Sequence, residues 1–318
     1  MKRKVSVGIV YLKLLKMAIT NNCTRFLFYA KKSGCDFTDT LMLGRLRLVA
    51  GHDYIKRCIA RYGNNSKNFE DVAFKDDYSE PLFEILGAHK VESVDYSDYE
   101  KATIIHDVNL PFPPELKGKF SAIVDGGTLE HIFNFPQAIK NCMSALKPGG
   151  HFIGMAPVNN LMGHGFYQFS PELYYRIFSE ANGFTVKQMF ITAGENLNRH
   201  LKWFEVADPD RVKDRVTLIN QKPLYILTLA QKTAEKEIFS VVPQQSDYTA
   251  VWAIMNSLKS DVKTEQDSTI KFLYRKYVPE KLKTLLRNIY FLLNKKTVYS
   301  EELGKINPEH FKEFKEDE

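Results

Sequence analysis

Three aspartates each follow a stretch of residues that favour a β-strand. Asp95 ends "KVESVD", Asp107 follows "ATIIH", and Asp125 ends "FSAIVD" directly before Gly126 and Gly127. In open α/β sheets, ligands bind beyond the carboxyl ends of the strands. A carboxylate there can accept both hydroxyls of a ribose or the amino group of an adenine, and a following glycine lets the backbone approach the ligand. An aspartate at a strand end can also serve only its turn, but three on successive strands favour a shared ligand site.

Two histidines lie in the segments that follow these strands. His131 stands in "LEHI", six residues after Asp125, and His164 stands between two glycines in "GHGFYQF". Imidazole titrates near neutral pH and can act as a general base. His164 and His131 are therefore the predicted catalytic candidates. The alternatives are a substrate contact for His164 and a packing role for His131, and Glu130 either orients a histidine or caps a turn.

Strand and helix patterns alternate through the middle of the chain. The apolar run Asp39–Leu46 predicts a strand that ends near Gly44, ahead of the three strands that carry the aspartates. Further strands are predicted in "HFIGMAPVN", "FTVKQMFITAG" and "PLYILTLAQK", and helices in "LVAGHDYIKRCIARYG", "YSEPLFEILGA", "NFPQAIKNCMSALKPGG" (with Asn134 as its cap) and "SPELYYRIF". This alternation predicts an α/β fold with a parallel, doubly wound sheet whose last two strands pair antiparallel.

Five phrases, in this order and spacing, resemble class I S-adenosylmethionine-dependent methyltransferases, most closely the branch that acts on small molecules. They are "SVDYSDYE", "IIHDVNLPFP", "FSAIVDGGTLEHI", "LKPGGHFIG" and "GHGFYQFSPELYYRIFSEANGF". "LEHI" after a strand aspartate, with "LKPGG" seventeen residues further on, is the most specific element. The match covers about residues 90–195 well and 36–233 more loosely. It implies a Rossmann-like, doubly wound, mostly parallel seven-stranded sheet with helical N- and C-terminal additions.

The resemblance implies a role for each matching position. Asp95 would bind the ribose of S-adenosylmethionine, with Tyr96 beside the adenine. Asp107 would face the adenine amino group, and Val108 would offer its backbone N–H. The segment 125–128, which includes Asp125, Gly126 and Gly127, would line the methionine end of the cofactor, with His131 near the substrate.

Two departures from the family pattern concern the cofactor site. Family members usually carry a GxGxG loop after the first strand, whereas this chain offers Gly44, followed by Arg45. Asp95 lies 51 residues beyond Gly44, against roughly 20 after such a loop, so an insertion of about residues 46–76 is predicted. Arg45 either contacts the cofactor carboxylate or is a surface or helix-end cation. Only twelve positions separate Asp95 from Asp107, too few for the usual crossover helix, so a short third strand is expected.

Composition narrows the class of protein. The chain has 318 residues, 44% hydrophobic and 26% charged, which are globular values. The net charge, 44 − 38 = +6, is a weak indication of anionic partners. Four cysteines without a CxxC pair argue against a disulfide framework or a structural zinc site, and no metal site is predicted.

No apolar run approaches the roughly 18 residues of a membrane span, and no nucleic-acid-binding module is present. A cytoplasmic protein is expected.

The C-terminal part of the chain carries a basic amphipathic pattern. Residues 271–296 hold eight Lys or Arg against one Glu, with leucines at helical spacing. Such a helix either lies on an anionic membrane, at the inner membrane face, or packs on a partner subunit, or covers the catalytic domain. The predicted organisation is a basic N-terminal segment (1–35), a Rossmann-like methyltransferase domain (36–233), and a linker with a basic helical extension (234–318). The oligomeric state is left open.

Together these features predict an S-adenosylmethionine-dependent methyltransferase. Its acceptor would be an oxygen or nitrogen of a small molecule, and a sugar in glycan biosynthesis is suggested by analogy. The alternative is a non-catalytic protein that keeps the methyltransferase fold for ligand or partner binding. The reduced glycine loop favours that alternative.

Overall fold

The computed structural model describes residues 18–63, 65–194, 201–212, 215–250, 252, 279 and 298–315. The strands are β1 (Ala18–Ile19), β2 (Asp39–Leu43), β3 (Arg47–Leu48), β4 (Lys90–Asp95), β5 (Ile104–Ile105), β6 (Phe120–Asp125), β7 (Leu146–Asn159), β8 (Phe184–Ala193), β9 (Trp203–Val206), β10 (Leu218–Ile219), β11 (Leu224–Lys232), β12 (Val298–Ser300), β13 (Gly304–Ile306) and β14 (Phe311–Phe314). The helices are α1 (Asn21–Lys32), α2 (His52–Tyr62), α3 (Glu80–Ile85), α4 (Phe135–Ala145), α5 (Pro171–Ile177) and α6 (Pro209–Val212). Apart from position 279, the predicted basic helix at 271–296 lies outside the described residues, as do residues 1–17.

The central sheet has the order β14–β9–β8–β11–β7–β6–β2–β4–β5. The neighbours from β5 to β7 are parallel, and β11 runs antiparallel between β7 and β8. The chain starts in the middle with β2, moves out through β4 to β5, and then returns to β6 on the other side of β2. This reversal is the topological switch point of a doubly wound sheet. The predicted Rossmann-like α/β fold is confirmed.

The sheet is wider than the seven predicted strands. β9 pairs antiparallel with β8, and β14 pairs with β9, which brings the total to nine. The outermost strand, β14, comes from the C-terminal extension that was predicted to be helical, so part of that extension belongs to the sheet.

Side chains from the middle strands divide between two apolar cores. Leu41, Leu43 and Ile123 belong to one core, and their neighbours Met42 and Val124 belong to the other. Successive side chains of a strand point to opposite faces, so the two cores cover the two faces of the sheet. All six residues of β6 are buried. This double burial is why the central strands read as nearly continuous apolar runs.

The predicted insertion lies between β2 and α3. It contains β3, α2 and a short 3₁₀ turn at Phe69–Asp71. The short third strand is also confirmed, because β5 has two residues and no helix separates it from β4. Ser93 and Thr103 join the two strands by side chain to backbone hydrogen bonds, including one of 2.7 Å from the Ser93 N–H to Thr103 Oγ1. Among the described residues, no helix has the length and apolar content that crossing a bilayer requires.

Candidate functional site

A cleft of about 520 Å³ opens beside the switch point, beyond the ends of β2, β4 and β6. That volume is typical of small-ligand sites. Six of the ten predicted site residues line it: Gly44, Asp95, Tyr96, Asp107, Val108 and His131. A larger groove of about 1190 Å³ lies along α5, β8 and β9, but it holds none of the predicted site residues and is lined by charges of both signs.

Asp95 reaches the cleft because it is the last residue of β4. Its Oδ1 accepts a hydrogen bond of 3.3 Å from the Ser97 N–H, which turns the chain at the strand end. The next residue, Tyr96, is 76% exposed, so most of its ring faces solvent at the cleft. A carboxylate and an exposed ring side by side can accept hydroxyl donors and contact a flat ligand.

Asp107 is held by its neighbour Asn109. Its Oδ1 accepts hydrogen bonds from the Asn109 side-chain amide (2.8 Å) and backbone N–H (2.9 Å). These bonds lower the pKa of Asp107 below its ordinary value, so the group is a carboxylate at neutral pH. Asn134 in turn donates to the Asn109 carbonyl at 3.0 Å. Asn134 is the N-cap residue of α4, as predicted, but its side chain makes no capping hydrogen bond.

Asn141 positions the loop that carries Val108, and sequence analysis missed it. Its buried amide group donates to the carbonyls of Val108 (3.1 Å) and Leu110 (2.8 Å) and accepts from the Phe112 N–H (3.0 Å). One side chain of α4 therefore fixes three backbone groups beside the cleft. The available signal was an asparagine among the otherwise apolar positions that α4 buries.

Asp125 does not line the cleft, in contrast to the prediction. It is fully buried, and its Oδ1 accepts hydrogen bonds from the backbone N–H groups of Thr128 (2.8 Å) and Leu129 (3.3 Å). Burial, together with the negative charge of Glu130, raises the pKa of Asp125 to about 7. Of the four-residue segment, Thr128 reaches the cleft, and its hydroxyl donates to the Leu43 carbonyl at 2.6 Å.

Gly126 and Gly127 were predicted to line the methionine end of the cofactor, but their surroundings differ from that prediction. A Cβ on Gly126 would lie 2.9 Å from a methyl group of Leu46, so the insertion packs directly against this backbone. Gly127 lies in the turn that wraps the Asp125 carboxylate. Leu46 fills the space beside Gly126, and neither glycine is among the residues that line the cleft.

Gly44 lines the cleft, and its N–H donates to the Val94 carbonyl at 2.8 Å, which ties the end of β2 to β4. Arg45 turns away. Its Nε lies 2.6 Å from Glu80 Oε1, and a second guanidinium nitrogen lies 3.1 Å from Asp76. Since Glu80 opens α3, the helix-end alternative for Arg45 is the one that agrees with the structure.

Glu130, His131 and His164 form one cluster at the far end of the cleft. Nε2 of His164 lies 3.3 Å from Oε1 of Glu130, which is 1% exposed. The rings of His131 and His164 have their centroids 4.9 Å apart. Burial and the nearby His164 lower the pKa of His131, and Glu130 partly offsets this.

Two backbone contacts bring His164 to this position from 33 residues away in the chain. The N–H groups of Phe166 (2.7 Å) and Tyr167 (3.2 Å) both donate to the Glu130 carbonyl. A Cβ at Gly165 would lie 2.7 Å from that same oxygen, so this close approach requires glycine. The two predicted catalytic histidines are thus brought together.

Comparison with known proteins gave matches to solved structures, whereas no family model and no curated protein matches the chain. The chain is similar to a SAM-dependent methyltransferase from Archaeoglobus fulgidus, at 13% identity over 70% of this chain and 100% of that one, with a TM-score of 0.38. It is similar to the Burkholderia thailandensis 1,6-didemethyltoxoflavin-N1-methyltransferase with bound S-adenosylhomocysteine, at 12% identity over 65% and 79% of the two chains and a TM-score of 0.32. It is also similar to the (4+2) cyclase SpnF, at 13% identity over 68% and 81%, with a TM-score of 0.35.

The strand order and the cleft at the switch point define a Rossmann-like, doubly wound α/β protein with its cleft where such folds bind nucleotides.

Proposed function

We propose that the protein is an S-adenosylmethionine-dependent methyltransferase acting on an oxygen or nitrogen of a small molecule. The observation that carries the proposal is that Asp95 and Asp107, from neighbouring strands, line one cleft of about 520 Å³ together with Gly44. In this proposal Asp95 binds the ribose hydroxyls and Tyr96 lies beside the adenine. Asp107 accepts from the adenine amino group, next to the Val108 N–H.

The residues present fit the adenosyl half of this cofactor. The carboxylates of Asp95 and Asp107 supply the acceptors that a cis-diol and an amino group require. The methionine half would lie towards Gly44 and Thr128, which line the same cleft. When bound, S-adenosylmethionine supplies a methyl group on a positively charged sulfur, and the protein has to place an acceptor in line with it.

The acceptor would lie at the end of the cleft that His131 lines, with the ring of His164 next to that of His131. The cofactor would supply the methyl group here, and the residues at this end would hold the acceptor's oxygen or nitrogen in line with it. The acceptor's proton passes to an imidazole of this pair, a contribution of typically 10²- to 10⁴-fold in rate. His131 lines the cleft directly, and Glu130 orients His164.

The rim of this end is apolar and exposed. The rings of Phe133 and Phe166 are 72% and 66% exposed, and their centroids lie 5.7 Å apart. Such a surface can cover the flat or apolar face of an acceptor and exclude water from the reacting atoms. It favours an acceptor with a ring, such as an aromatic group or a sugar.

Isothermal titration of the full chain with S-adenosylhomocysteine tests the proposal. We expect binding to the wild-type protein and a loss of 10-fold or more in Asp95→Ala, since a hydrogen bond to a charged group contributes about 1.5–3 kcal/mol. Asp98→Ala is the matched control, because Asp98 is an exposed aspartate three residues further on and does not line the cleft. Absence of binding to the wild-type protein contradicts the proposal.

A nucleoside-binding protein without methyl transfer is the second candidate. It is favoured by the packing of Leu46 on Gly126 and by the engagement of Arg45 with Glu80, which leave the expected methionine end without that cation. Adenosine that binds as tightly as S-adenosylhomocysteine would support this candidate over the methyltransferase.

A further inference from the structure

Glu130, His131 and His164 have the spacing of metal ligands. Each offers one ligand atom, and these atoms all lie within 4.8 Å of one another. Ligand atoms about 2.1 Å from a shared metal lie roughly 3.0–3.4 Å apart in octahedral or tetrahedral geometry. The 3.3 Å between His164 Nε2 and Glu130 Oε1 already has this value. His131 is exposed at the cleft, so a rotation of its side chain can close the remaining distance.

The second carboxylate oxygen of Glu130 independently indicates a bound cation. Oε2 of this 1% exposed side chain has no hydrogen-bond partner, and neither has Oδ2 of the neighbouring, fully buried Asp125. A buried carboxylate oxygen without a partner is costly. Among the described residues, the ion-pair contacts of Glu130 are limited to His164. A cation held by Glu130 would compensate for both acids.

The donor set selects the kind of metal. Two imidazoles and one carboxylate suit Zn²⁺, Mn²⁺, Fe²⁺, Co²⁺ and Ni²⁺ rather than Mg²⁺ or Ca²⁺, which prefer oxygen ligands. Two backbone hydrogen bonds join the loop of His164 to the Glu130 carbonyl. These bonds fix the position of His164 relative to Glu130. The remaining coordination positions would face the cleft, because His131 lines it.

We propose that Glu130, His131 and His164 form a binding site for a divalent transition metal at the acceptor end of the cleft. The inference goes beyond the proposed methyl transfer and does not require it. A nitrogen lone pair that holds a metal cannot accept a proton, so metal binding and proton acceptance are alternative states of one cluster.

Calorimetric titration with Zn²⁺ tests the site, on the full chain without an affinity tag and after treatment with a chelator. We expect one equivalent to bind. His131→Ala, His164→Ala and Glu130→Gln should each weaken binding by at least about 10-fold, since the loss of an outer contact alone costs 10- to 100-fold. His89→Ala, at an exposed histidine that does not line the cleft, should leave binding unchanged. His131→Ala is the decisive variant, because an exposed side chain can be removed without loss of the fold.

Visible absorption of Co²⁺ provides a second readout, because its bands report the ligands directly. We expect the bands of the wild-type complex to be lost or shifted in His131→Ala and retained in His89→Ala. No Zn²⁺ uptake, or uptake that none of the three ligand substitutions weakens, overturns the site.

Titration of the same preparation with S-adenosylhomocysteine separates the two proposals. Cofactor binding without metal uptake refutes the metal site and leaves methyl transfer standing. Metal uptake without cofactor binding supports the metal site and refutes the methyltransferase.

Discussion

Relative to wild type, the Asp125→Asn variant should gain free energy of unfolding when the pH is raised from 5 to 8. The carboxyl group is fully buried beside Glu130, and its pKa is raised from 3.8 to about 7. Asparagine keeps the Oδ1 acceptor for the N–H groups of Thr128 and Leu129 and removes the charge. The substitution therefore isolates the cost of ionising this side chain inside the sheet.

The direction of the pH effect follows from the two pKa values. Between about pH 4 and pH 7 the folded state keeps the proton while the unfolded state has released it, so the free energy of unfolding falls as the pH rises. A shift of roughly three units corresponds to about 4 kcal/mol above pH 7. Between pH 5 and pH 8, the wild-type protein should lose on the order of 2–3 kcal/mol relative to Asp125→Asn.

Urea unfolding at several pH values measures this difference. The difference between wild type and Asp125→Asn cancels the titration of other groups, such as Asp107 and Glu92, whose lowered pKa values act in the opposite direction. Asp98→Asn, at an exposed position, should follow the wild-type profile. Parallel profiles for wild type and Asp125→Asn would show that Asp125 does not carry the raised pKa, and would refute the reasoning.

Two further substitutions test the site. His164→Ala should lower turnover with a cognate acceptor by about 10²-fold or more. The affinity for S-adenosylhomocysteine should stay close to wild type, because His164 does not line the cleft. Unchanged turnover would remove His164 from the proposed mechanism. Asn141→Ala should lower the free energy of unfolding by about 3 kcal/mol and weaken cofactor binding, because the buried carbonyl of Val108 and the part-buried carbonyl of Leu110 lose their donor. Gln137→Ala, which removes one hydrogen bond to Asn141 from a half-buried side chain, should cost about 1 kcal/mol or less, as chemical denaturation can show.

The strands could be predicted because their pattern is local. β6 is buried on both faces and reads as an apolar run, and the turn that follows carries its own glycines. The insertion was also predictable, since 51 residues between Gly44 and Asp95 exceed what one crossover needs. Strands β9 and β14 were missed because they are four residues each, and β14 pairs with β9 across about 100 positions of sequence, where no local pattern reports the partner.

The direction in which a strand-end carboxylate points could not be read from the sequence. Asp95 and Asp125 end their strands in the same way, yet Asp95 lines the cleft and Asp125 is buried. The difference arises from the turn amides at Thr128 and Leu129, which capture the Asp125 carboxylate. The contact between Glu130 and His164 likewise depends on a loop 34 residues away and on the close approach at Gly165.

The insertion affects the two halves of the proposed cofactor site differently. Two carboxylates and an exposed tyrosine ring lie in the open cleft where the adenosyl half would bind. Where the methionine half would lie, Leu46 of the insertion packs against Gly126, and the neighbouring Arg45 forms an ion pair with Glu80. A protein that uses the whole cofactor should nevertheless gain affinity from its amino-acid end, whereas one that binds only a nucleoside should not. The ratio of S-adenosylhomocysteine to adenosine affinity therefore measures whether this loop leaves room for the group that carries the methyl.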